Sequence, residues 1–186
     1  MTNWIKQSEK QEKVGWRYIV HKVFKLPNGK LYDFTTYDLP GTHYCGIIAL
    51  TKDLKVIIVS QYRPGPEKLM DEIMGGGMES EDKNFQDAAV REMKEESGYA
   101  PGNVIDLGII YKDAYNNAIW HYYLATDCVK TAEGQMLEDT EFAEVKLISI
   151  EKLLDNARTA KMTDVEAVFL AYDELMKIKE GVDDKS

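Results

Sequence analysis

The chain has 186 residues, of which 44% are hydrophobic and 30% charged, with a formal net charge of −9. This length suits one domain with a small extension, and the negative charge argues against broad binding to nucleic acid or to an anionic membrane. No apolar run approaches the roughly 20 residues that span a bilayer, and the N-terminal segment lacks the apolar stretch of a signal peptide. We therefore expect a cytoplasmic protein without a membrane partner.

Cysteine and histidine are both scarce. The two cysteines, Cys45 and Cys128, belong to no CxxC motif, and the chain has only three histidines. A zinc site is therefore not expected. Both cysteines are predicted to be reduced thiols in the core.

Strand patterns dominate the first part of the chain. Residues 1–13 are polar and predict a mobile or loosely paired start. Alternating aromatic and β-branched residues over 16–39, interrupted by a Pro-Asn-Gly turn at 27–29, predict two strands. The continuous apolar runs 44–50 and 55–62 predict a buried central hairpin.

One helix is predicted after the three glycines 75–77. It spans residues 84–97, with Asn84 as its N-cap and Gly98 as its stop signal. Further strands are predicted at 104–113, 120–126 and 144–150. Two closing helices are predicted behind the caps Ser149 and Thr163. Strands on both sides of one helix, with helices at the end, indicate an α+β or an α/β/α sandwich fold.

The central helix carries an unusual concentration of carboxylates. Glu92, Glu95 and Glu96 project from one arc beside the apolar stripe, and like charges at i,i+4 each cost roughly 0.2–0.5 kcal/mol. Carboxylate oxygens are the ligands that Mg²⁺ and Mn²⁺ prefer. An exposed acidic helix face is the common alternative. The adjacent glycines favour a loop that touches a metal or a phosphate, because glycine lets the backbone approach a ligand closely.

The segment GMESEDKNFQDAAVREMKEESGY resembles the box of the Nudix hydrolases. The family pattern is Gly, five residues, Glu, seven residues, then Arg-Glu-apolar-any-Glu-Glu-any-Gly-apolar. Gly77 fills its first position, and the residues from Arg91 to Tyr99 fill its last group. Lys83 stands where the family has its first glutamate, which there mainly pairs with the arginine. Four nearby acids are candidates to replace that partner: Glu79, Glu81, Asp82 and Asp87.

A longer stretch is similar to ADP-ribose pyrophosphatases and related nucleoside-diphosphate-sugar hydrolases. The similarity covers roughly residues 14–155 and is carried by QYRPG at 61–65 and DEIMGGG at 71–77. It implies an α/β Nudix fold, an α/β/α sandwich with a mixed central sheet and an N-terminal antiparallel strand extension. The extension is assigned to residues 1–40, as a homodimerisation element, and the hydrolase domain to residues 41–180.

The resemblance implies metal-dependent hydrolysis of the pyrophosphate bond of a nucleoside diphosphate sugar. A substrate of the ADP-ribose or GDP-mannose type would give a nucleoside monophosphate and a sugar phosphate. The expected cofactor is Mg²⁺, with Mn²⁺ as the alternative. The expected metal ligands are Glu92, Glu96, Glu95 and a backbone carbonyl of the glycine segment, assigned to Gly76.

The remaining catalytic roles follow from the same resemblance. The general base is assigned to the acidic stretch LEDTEFAEVKLI, with Glu141 first and Glu144 second. A solvated acidic turn, with attack by a metal-bound hydroxide, is the alternative. Arg91 and Glu95 are also assigned to the catalytic group. Arg91 is expected to orient neighbouring groups. Candidate substrate contacts, each with an ordinary structural role as the alternative, are Arg63, Glu72, Trp16 and Tyr18.

Two other functions are compatible with the sequence. The first keeps the fold and changes the substrate to nucleoside triphosphates, dinucleoside polyphosphates or capped RNA. The second is a non-catalytic nucleotide-sensing module, which only Lys83 supports and the three intact glutamates oppose.

Overall fold

The structure, a computed structural model, describes residues 3–137 and 142–183. The first part of the chain forms an antiparallel sheet of three strands in the order β1-β2-β3. These strands are β1 (Ile5–Val14), β2 (Arg17–Lys25) and β3 (Leu31–Tyr37). β2 and β3 match the two predicted strands. The polar start is a regular strand instead, paired with β2 from Ile5↔Lys25 to Val14↔Arg17. Because β1 is exposed along almost its whole length, it shows no apolar alternation in the sequence.

A larger mixed sheet contains the other eight strands of the described chain, with the path β11-β5-β4-β10-β8. β6 pairs with β5, β7 with β4 and β9 with β10. The strands are β4 (His43–Thr51), β5 (Val56–Arg63), β6 (Lys68–Glu72), β7 (Met74–Gly77), β8 (Tyr99–Ala100), β9 (Asn103–Ile110), β10 (Ile119–Lys130) and β11 (Ala143–Ile148). The predicted central hairpin is confirmed as β4 and β5, which are largely buried.

Helices cover both faces of this sheet, and the predicted α/β/α Nudix sandwich is confirmed. α1 (Phe85–Ser97) packs on β7 and neighbouring strands, whereas α2 (Ile150–Arg158) and α3 (Val165–Asp183) pack on each other, with α3 against β9. Residues that alternate along β4 and β5 join α1 in one core layer: Cys45, Ile47, Ala49, Ile57 and Val59. The intervening residues, among them Ile48 and Ile58, are equally buried and face the opposite way.

The helix ends follow ordinary capping chemistry. The Ser149 side chain accepts a hydrogen bond from the backbone N–H of Lys152, which confirms the predicted cap of α2. α3 begins at Val165, and the Thr163 hydroxyl donates to Asp164 instead. No helix within the described residues combines the length and the apolar content that crossing a bilayer requires.

The chain divides into two compact units. One holds the described residues up to His43 together with Tyr111–Trp120, and the other holds Tyr44–Ile110 and the described residues from His121 onwards. The boundary placed at residue 40 between an extension and a hydrolase domain remains a prediction.

Candidate active site

Helix α1 is fixed at both ends by its own sequence. The Asn84 side chain accepts a hydrogen bond of 2.9 Å from the backbone N–H of Asp87, and Gly98 ends the helix with a φ of 71°. Ala88, Ala89 and Met93 bury one face against the sheet. The predicted helix and both of its end signals are therefore confirmed.

The glycine segment lies in strand β7, although the sequence favoured a loop. β7 runs antiparallel to β4, with Gly75 opposite Gly46 and Gly76 opposite Cys45. A Cβ atom on Gly75 would stand 2.3 Å from the carbonyl oxygen of Cys45. Only glycine allows this approach of two backbones, so Gly75 is needed for β7 to pair with β4.

The same strand lies directly against the acidic side of α1. A Cβ atom on Gly76 would stand 2.3 Å from Oε1 of Glu92, and the backbone N–H of Gly75 donates a hydrogen bond of 3.1 Å to Oε2 of Glu96. The two glutamates are i,i+4 on α1, so both point at the glycine strand. This contact places carboxylates and backbone groups on one surface.

Arg91 holds the carboxylates of the helix together. Its Nη1 lies 2.9 Å from Glu95 Oε2 and 3.1 Å from Glu92 Oε1. On its other side, Nε and Nη2 donate to the carboxylate of Asp82 at 3.3 and 3.2 Å. Nη2 also donates 2.9 Å to the carbonyl oxygen of Gly77. Of the four acids considered as partners for Arg91, Asp82 makes the close pair, and Glu79 approaches to 3.7 Å.

The charge of Arg91 is strongly favoured in this setting. Burial would lower its pKa, but the hydrogen bond to Asp82 and the charges of Glu92 and Glu95 outweigh burial and raise it. Arg91 therefore stays charged and offsets the repulsion among the glutamates. This is the positive group that the crowded carboxylates require.

These groups line a cavity of about 200 Å³. Its walls contain two of the three glycines of β7, the arginine and carboxylates of the box, and one residue from a distant part of the chain: Gly75, Gly76, Glu79, Arg91, Glu92, Glu95, Glu96 and Met136. The structure thus gathers Arg91, Glu92, Glu95, Glu96 and Gly76, all selected from the sequence. Glu79 and Met136 were not selected as members of the site.

The donor set suits a hard divalent cation, since it consists of carboxylate oxygens beside backbone carbonyls. Among the described residues, no three acidic, histidine or cysteine side chains converge on one point as a metal shell. Glu92 and Glu95 lie against the guanidinium of Arg91 instead. Glu92, Glu95, Glu96 and Gly76, the residues assigned to a cation from the sequence, all line this cavity.

The segment after β10 is tied to the last turn of α1. The backbone N–H of Met136 donates 2.7 Å to the carbonyl of Glu95, and Gln135 Nε2 donates 2.7 Å to the carbonyl of Glu96. Thr131 donates its N–H to the carbonyl of Gly98 at 2.8 Å. In the sequence, Gly134 predicts a turn in this segment. No residue of the segment indicates that it contacts α1.

The two candidates for the general base lie after this segment. Glu141 lies outside the described residues. Glu144 is on β11 opposite Ser60, its side chain is 76% exposed, and Lys146 Nζ lies 3.9 Å from its carboxylate. It is not among the residues that line the cavity.

Arg63 and Glu72 are bound to each other. The Arg63 Nε donates 2.6 Å to Glu72 Oε1 and its Nη2 donates to Oε2, so the pair is bidentate. Gln61 Nε2 adds a bond of 3.0 Å to the same carboxylate. Glu72 is buried, whereas 44% of the Arg63 side chain is exposed. The hydrogen bond to Glu72 raises the pKa of Arg63.

Trp16 and Tyr18 belong to the unit that contains the three-stranded sheet. Trp16 is 73% exposed, and the guanidinium carbon of Arg17 lies 4.2 Å from its ring centroid. Tyr18 lies in β2, with Lys13 Nζ at 5.9 Å from its ring. Both rings take part in cation–π contacts within their own unit.

Comparison with known proteins matches most of this chain to one family. The model of the NUDIX domain matches residues 43–171. The chain belongs to the Nudix family. It is therefore a hydrolase acting on acid anhydrides, and the resemblance seen in the box is confirmed.

Two curated relatives span most of this Nudix chain. It is 27% identical over 160 residues to an ADP-ribose pyrophosphatase of Bacillus subtilis (strain 168), covering 85% of this chain and 83% of that protein. It is 28% identical over 161 residues to a methanol dehydrogenase activator of Bacillus methanolicus, covering 83% and 85% respectively.

A solved structure shares the fold. The crystal structure of an ADP compounds hydrolase superposes with a TM-score of 0.79, at 16% identity, over 95% of this chain and 96% of that one. The Nudix hydrolase described here is thus related to ADP-ribose pyrophosphatase.

Proposed function

We propose that this Nudix hydrolase cleaves the pyrophosphate bond of a nucleoside diphosphate sugar of the ADP-ribose or GDP-mannose type. The products are a nucleoside monophosphate and a sugar phosphate, and the reaction depends on Mg²⁺, with Mn²⁺ as a substitute. The observation that carries the proposal is the cavity in which Glu92, Glu95 and Glu96 meet the glycine strand and Arg91. The relative that is an ADP-ribose pyrophosphatase supports the substrate class.

Glu92, Glu96, Glu95 and the carbonyl of Gly76 are the groups assigned to hold the metal. A divalent cation supplies charge neutralisation on the phosphates and an aligned water. Arg91 lies between Glu92 and Glu95 and keeps both turned towards the cavity. Its proposed role is to orient these carboxylates rather than to take part in bond cleavage.

Glu141 is the proposed general base, with Glu144 as the second choice. The segments on both sides of Glu141 support this assignment. Met136 lines the cavity, and Gln135 Nε2 bridges the carbonyl of Glu96 and the carbonyl of Ala143, at 2.7 and 3.2 Å. Described residues before and after Glu141, namely Gln135 and Ala143, therefore both lie close to the end of α1.

Arg63, Glu72, Trp16 and Tyr18 are proposed to contact the substrate. Arg63 retains an exposed fraction of 44% while Glu72 fixes its guanidinium plane, which leaves a cation presented to a phosphate or ribose. Trp16 exposes most of its ring, and an exposed aromatic ring can stack on a nucleobase. The negative charge of the chain disfavours nucleic acid as a partner.

We also propose a homodimer formed through the N-terminal extension, residues 1–40. β1 is a ten-residue strand at the edge of its sheet and is exposed along almost its whole length. Long exposed edge strands readily pair with another chain. Light scattering at micromolar concentration should give the mass of a dimer, and a monomer mass would contradict this arrangement.

The proposed compartment is the cytoplasm. Cys45 and Cys128 are both free and buried, as expected in a reducing environment. A thiol assay on protein taken directly from cells should find both cysteines reduced.

The substrate is tested with a panel under Mg²⁺: ADP-ribose, GDP-mannose, UDP-glucose, a dinucleoside tetraphosphate and several nucleoside triphosphates. Products are identified by mass spectrometry in ¹⁸O-labelled water, with Glu96→Gln as the control. Monophosphate plus sugar phosphate from one sugar nucleotide is the expected result, and the label identifies the attacked phosphorus. Cleavage of triphosphates or dinucleotides only would keep the fold and reject the substrate. Binding of ADP-ribose with Mg²⁺ but without cleavage would identify a sensor.

A further inference from the structure

We propose that the front half of the Nudix box is displaced by one residue in this chain, so that Asp82 performs the role of the missing first glutamate. In this assignment Asp82 is a positioning residue, which acts on the carboxylates through Arg91, and Lys83 is an extra residue. The inference rests on the proposed metal site, but its main contacts are independent of any substrate.

The first support is the set of contacts that Asp82 makes. Its carboxylate receives Nε and Nη2 of Arg91 at 3.3 and 3.2 Å and the backbone N–H of Glu79 at 2.8 Å. Its side chain is only 6% exposed. The backbone N–H of Asp82 also donates 3.2 Å to the carbonyl of Glu79. Asp82 is therefore both the closing residue of a turn and the partner of the guanidinium.

The second support comes from the glycines. The spacing of the family pattern assigns Gly77 as the constrained first glycine, but a Cβ atom on Gly77 would meet nothing within 4 Å. A Cβ atom on Gly76 would collide with the carboxylate of Glu92 at 2.3 Å. Of Gly76 and Gly77, the glycine that is constrained by contact with the box helix is thus Gly76, one residue earlier than the pattern predicts.

The acid and the glycine are displaced by the same amount, one residue each. Five residues separate Gly76 from Asp82, as the pattern requires between its glycine and its glutamate, and eight separate Asp82 from Arg91 instead of seven. The extra position falls at Lys83, directly before the helix cap Asn84. An insertion at this point lengthens the loop and leaves the helix register unchanged.

The displaced acid has a consequence for the metal site. Asp82 engages Nε and Nη2, so the remaining nitrogen Nη1 faces Glu95 and Glu92 at 2.9 and 3.1 Å. Asp82 thereby fixes the angle from which Arg91 holds these two glutamates. A chain that lacks the family glutamate at position 83 retains an ordered carboxylate cluster by this route.

The test measures binding of Mn²⁺ to the full chain by electron paramagnetic resonance, without substrate. Asp82→Asn, which keeps the shape and removes the charge, should weaken Mn²⁺ binding about 10- to 100-fold, as expected for the loss of a group that orients metal ligands. Glu81→Gln is the matched control, since Glu81 is exposed and adjacent. It should stay within about twofold of the wild type. Equal affinities for Asp82→Asn and Glu81→Gln would overturn the proposal.

Variants at position 83 test the displacement itself. Lys83→Glu should leave Mn²⁺ affinity within a few-fold of the wild type, and Asp82→Asn/Lys83→Glu should remain as weak as Asp82→Asn. A gain of tenfold or more from Lys83→Glu, or full recovery in the double variant, would show that position 83 is the functional one and would overturn the assignment.

A double-mutant cycle keeps the proposal testable if Mn²⁺ does not bind. The unfolding free energies of the wild type, Asp82→Asn, Arg91→Gln and the double variant are measured by urea denaturation. Non-additive changes are expected because the two side chains are in direct contact. Additive changes would overturn the pairing. Absent Mn²⁺ binding with a non-additive cycle would reject the metal site and keep the role of Asp82 towards Arg91.

Discussion

The backbone N–H of Gly75 donates a hydrogen bond of 3.1 Å to the carboxylate of Glu96. The bond joins the glycine strand to the last turn of the acidic helix. Glu96→Gln preserves an oxygen that can accept this bond but removes the negative charge proposed to hold the metal. We expect turnover of ADP-ribose under Mg²⁺ to fall by orders of magnitude while the melting temperature stays close to that of the wild type.

Glu81, an exposed residue before α1, provides the control for charge removal. Glu81→Gln should retain wild-type turnover. Near-normal turnover of Glu96→Gln would remove Glu96 from the metal ligands.

The glycine strand offers a pair of matched substitutions. Gly76→Ala introduces a methyl group where Oε1 of Glu92 would stand 2.3 Å away, whereas Gly77→Ala introduces one into open space. Neither glycine has a positive φ, so the two variants differ mainly in this collision. We expect Gly76→Ala to lose most metal affinity and activity, because Glu92 must move.

Isothermal titration with Mn²⁺ and a kcat measurement check this expectation. Gly77→Ala should keep metal affinity and activity within about threefold of the wild type, since surface changes away from special features are usually small. Similar losses in both variants would show that any substitution in β7 is harmful, whether or not it collides with Glu92.

Local signals were sufficient to predict the helix that carries the site. Asn84, Gly98 and the apolar spacing are short-range features, and they gave the helix ends correctly. The glutamates follow from the helix geometry and from the family pattern. The fold class followed from the same resemblance and is confirmed.

Long-range contacts explain what the sequence did not reveal. β7 is a strand because Gly75 can lie against the carbonyl of Cys45 in β4, and glycine has no intrinsic strand preference. β1 has no buried face that would produce an alternating pattern. Met136 reaches the cavity through its hydrogen bond to Glu95, a contact between residues far apart in the chain.

Substitutions of Glu72 and Arg63 test fold stability and substrate binding separately. Glu72 is 4% exposed in its side chain and receives two nitrogens of Arg63 and one of Gln61. Glu72→Gln leaves these donors without a charged partner and should destabilise the fold by about 1–3 kcal/mol. Urea denaturation measures this loss.

Kinetics then show whether the pair also contacts substrate. Arg63→Lys keeps a charge but loses the bidentate geometry, and we expect KM for ADP-ribose to rise more than kcat falls. Glu67→Gln, at an exposed position of the same hairpin, is the control. An unchanged KM in Arg63→Lys would restrict the pair to a structural role.

The two candidates for the base are distinguished by matched substitutions. Glu141→Gln should lower kcat with little change in metal affinity, as expected for a proton acceptor that is not a ligand. Glu144→Gln should leave kcat near the wild-type value, because Glu144 is highly exposed on β11 and lies near Lys146. If Glu144→Gln is inactive and Glu141→Gln is active, the base is Glu144.

The buried cysteines predict a loss of stability at alkaline pH. Burial raises the pKa of Cys45 to about 11 and that of Cys128 to about 11, above the ordinary value of about 8.5. Each folded-state pKa is raised, so the stabilisation is complete below about pH 8.5 and is lost as pH rises towards 11. The unfolding free energy should therefore fall between pH 8 and 10.

Thiol titration gives an independent check. A thiol reagent at pH 8 should react with neither cysteine in the folded chain and with both after denaturation. Cys128→Ala should halve the number of thiols released and reduce the slope of stability against pH. Rapid reaction of the folded chain would contradict the burial of these groups.

The last turn of α1 depends on residues that the ribosome adds much later. The carbonyls of Glu95, Glu96 and Gly98 are bonded by Met136, Gln135 and Thr131, and the bond from Gln135 spans 39 residues of sequence. A helix of this length is marginal by itself in water. Its final turn and the segment that covers it should therefore open and close as one cooperative unit. The carboxylates of Glu95 and Glu96 acquire a fixed backbone only when that unit has closed, so the site is completed late during synthesis of the chain.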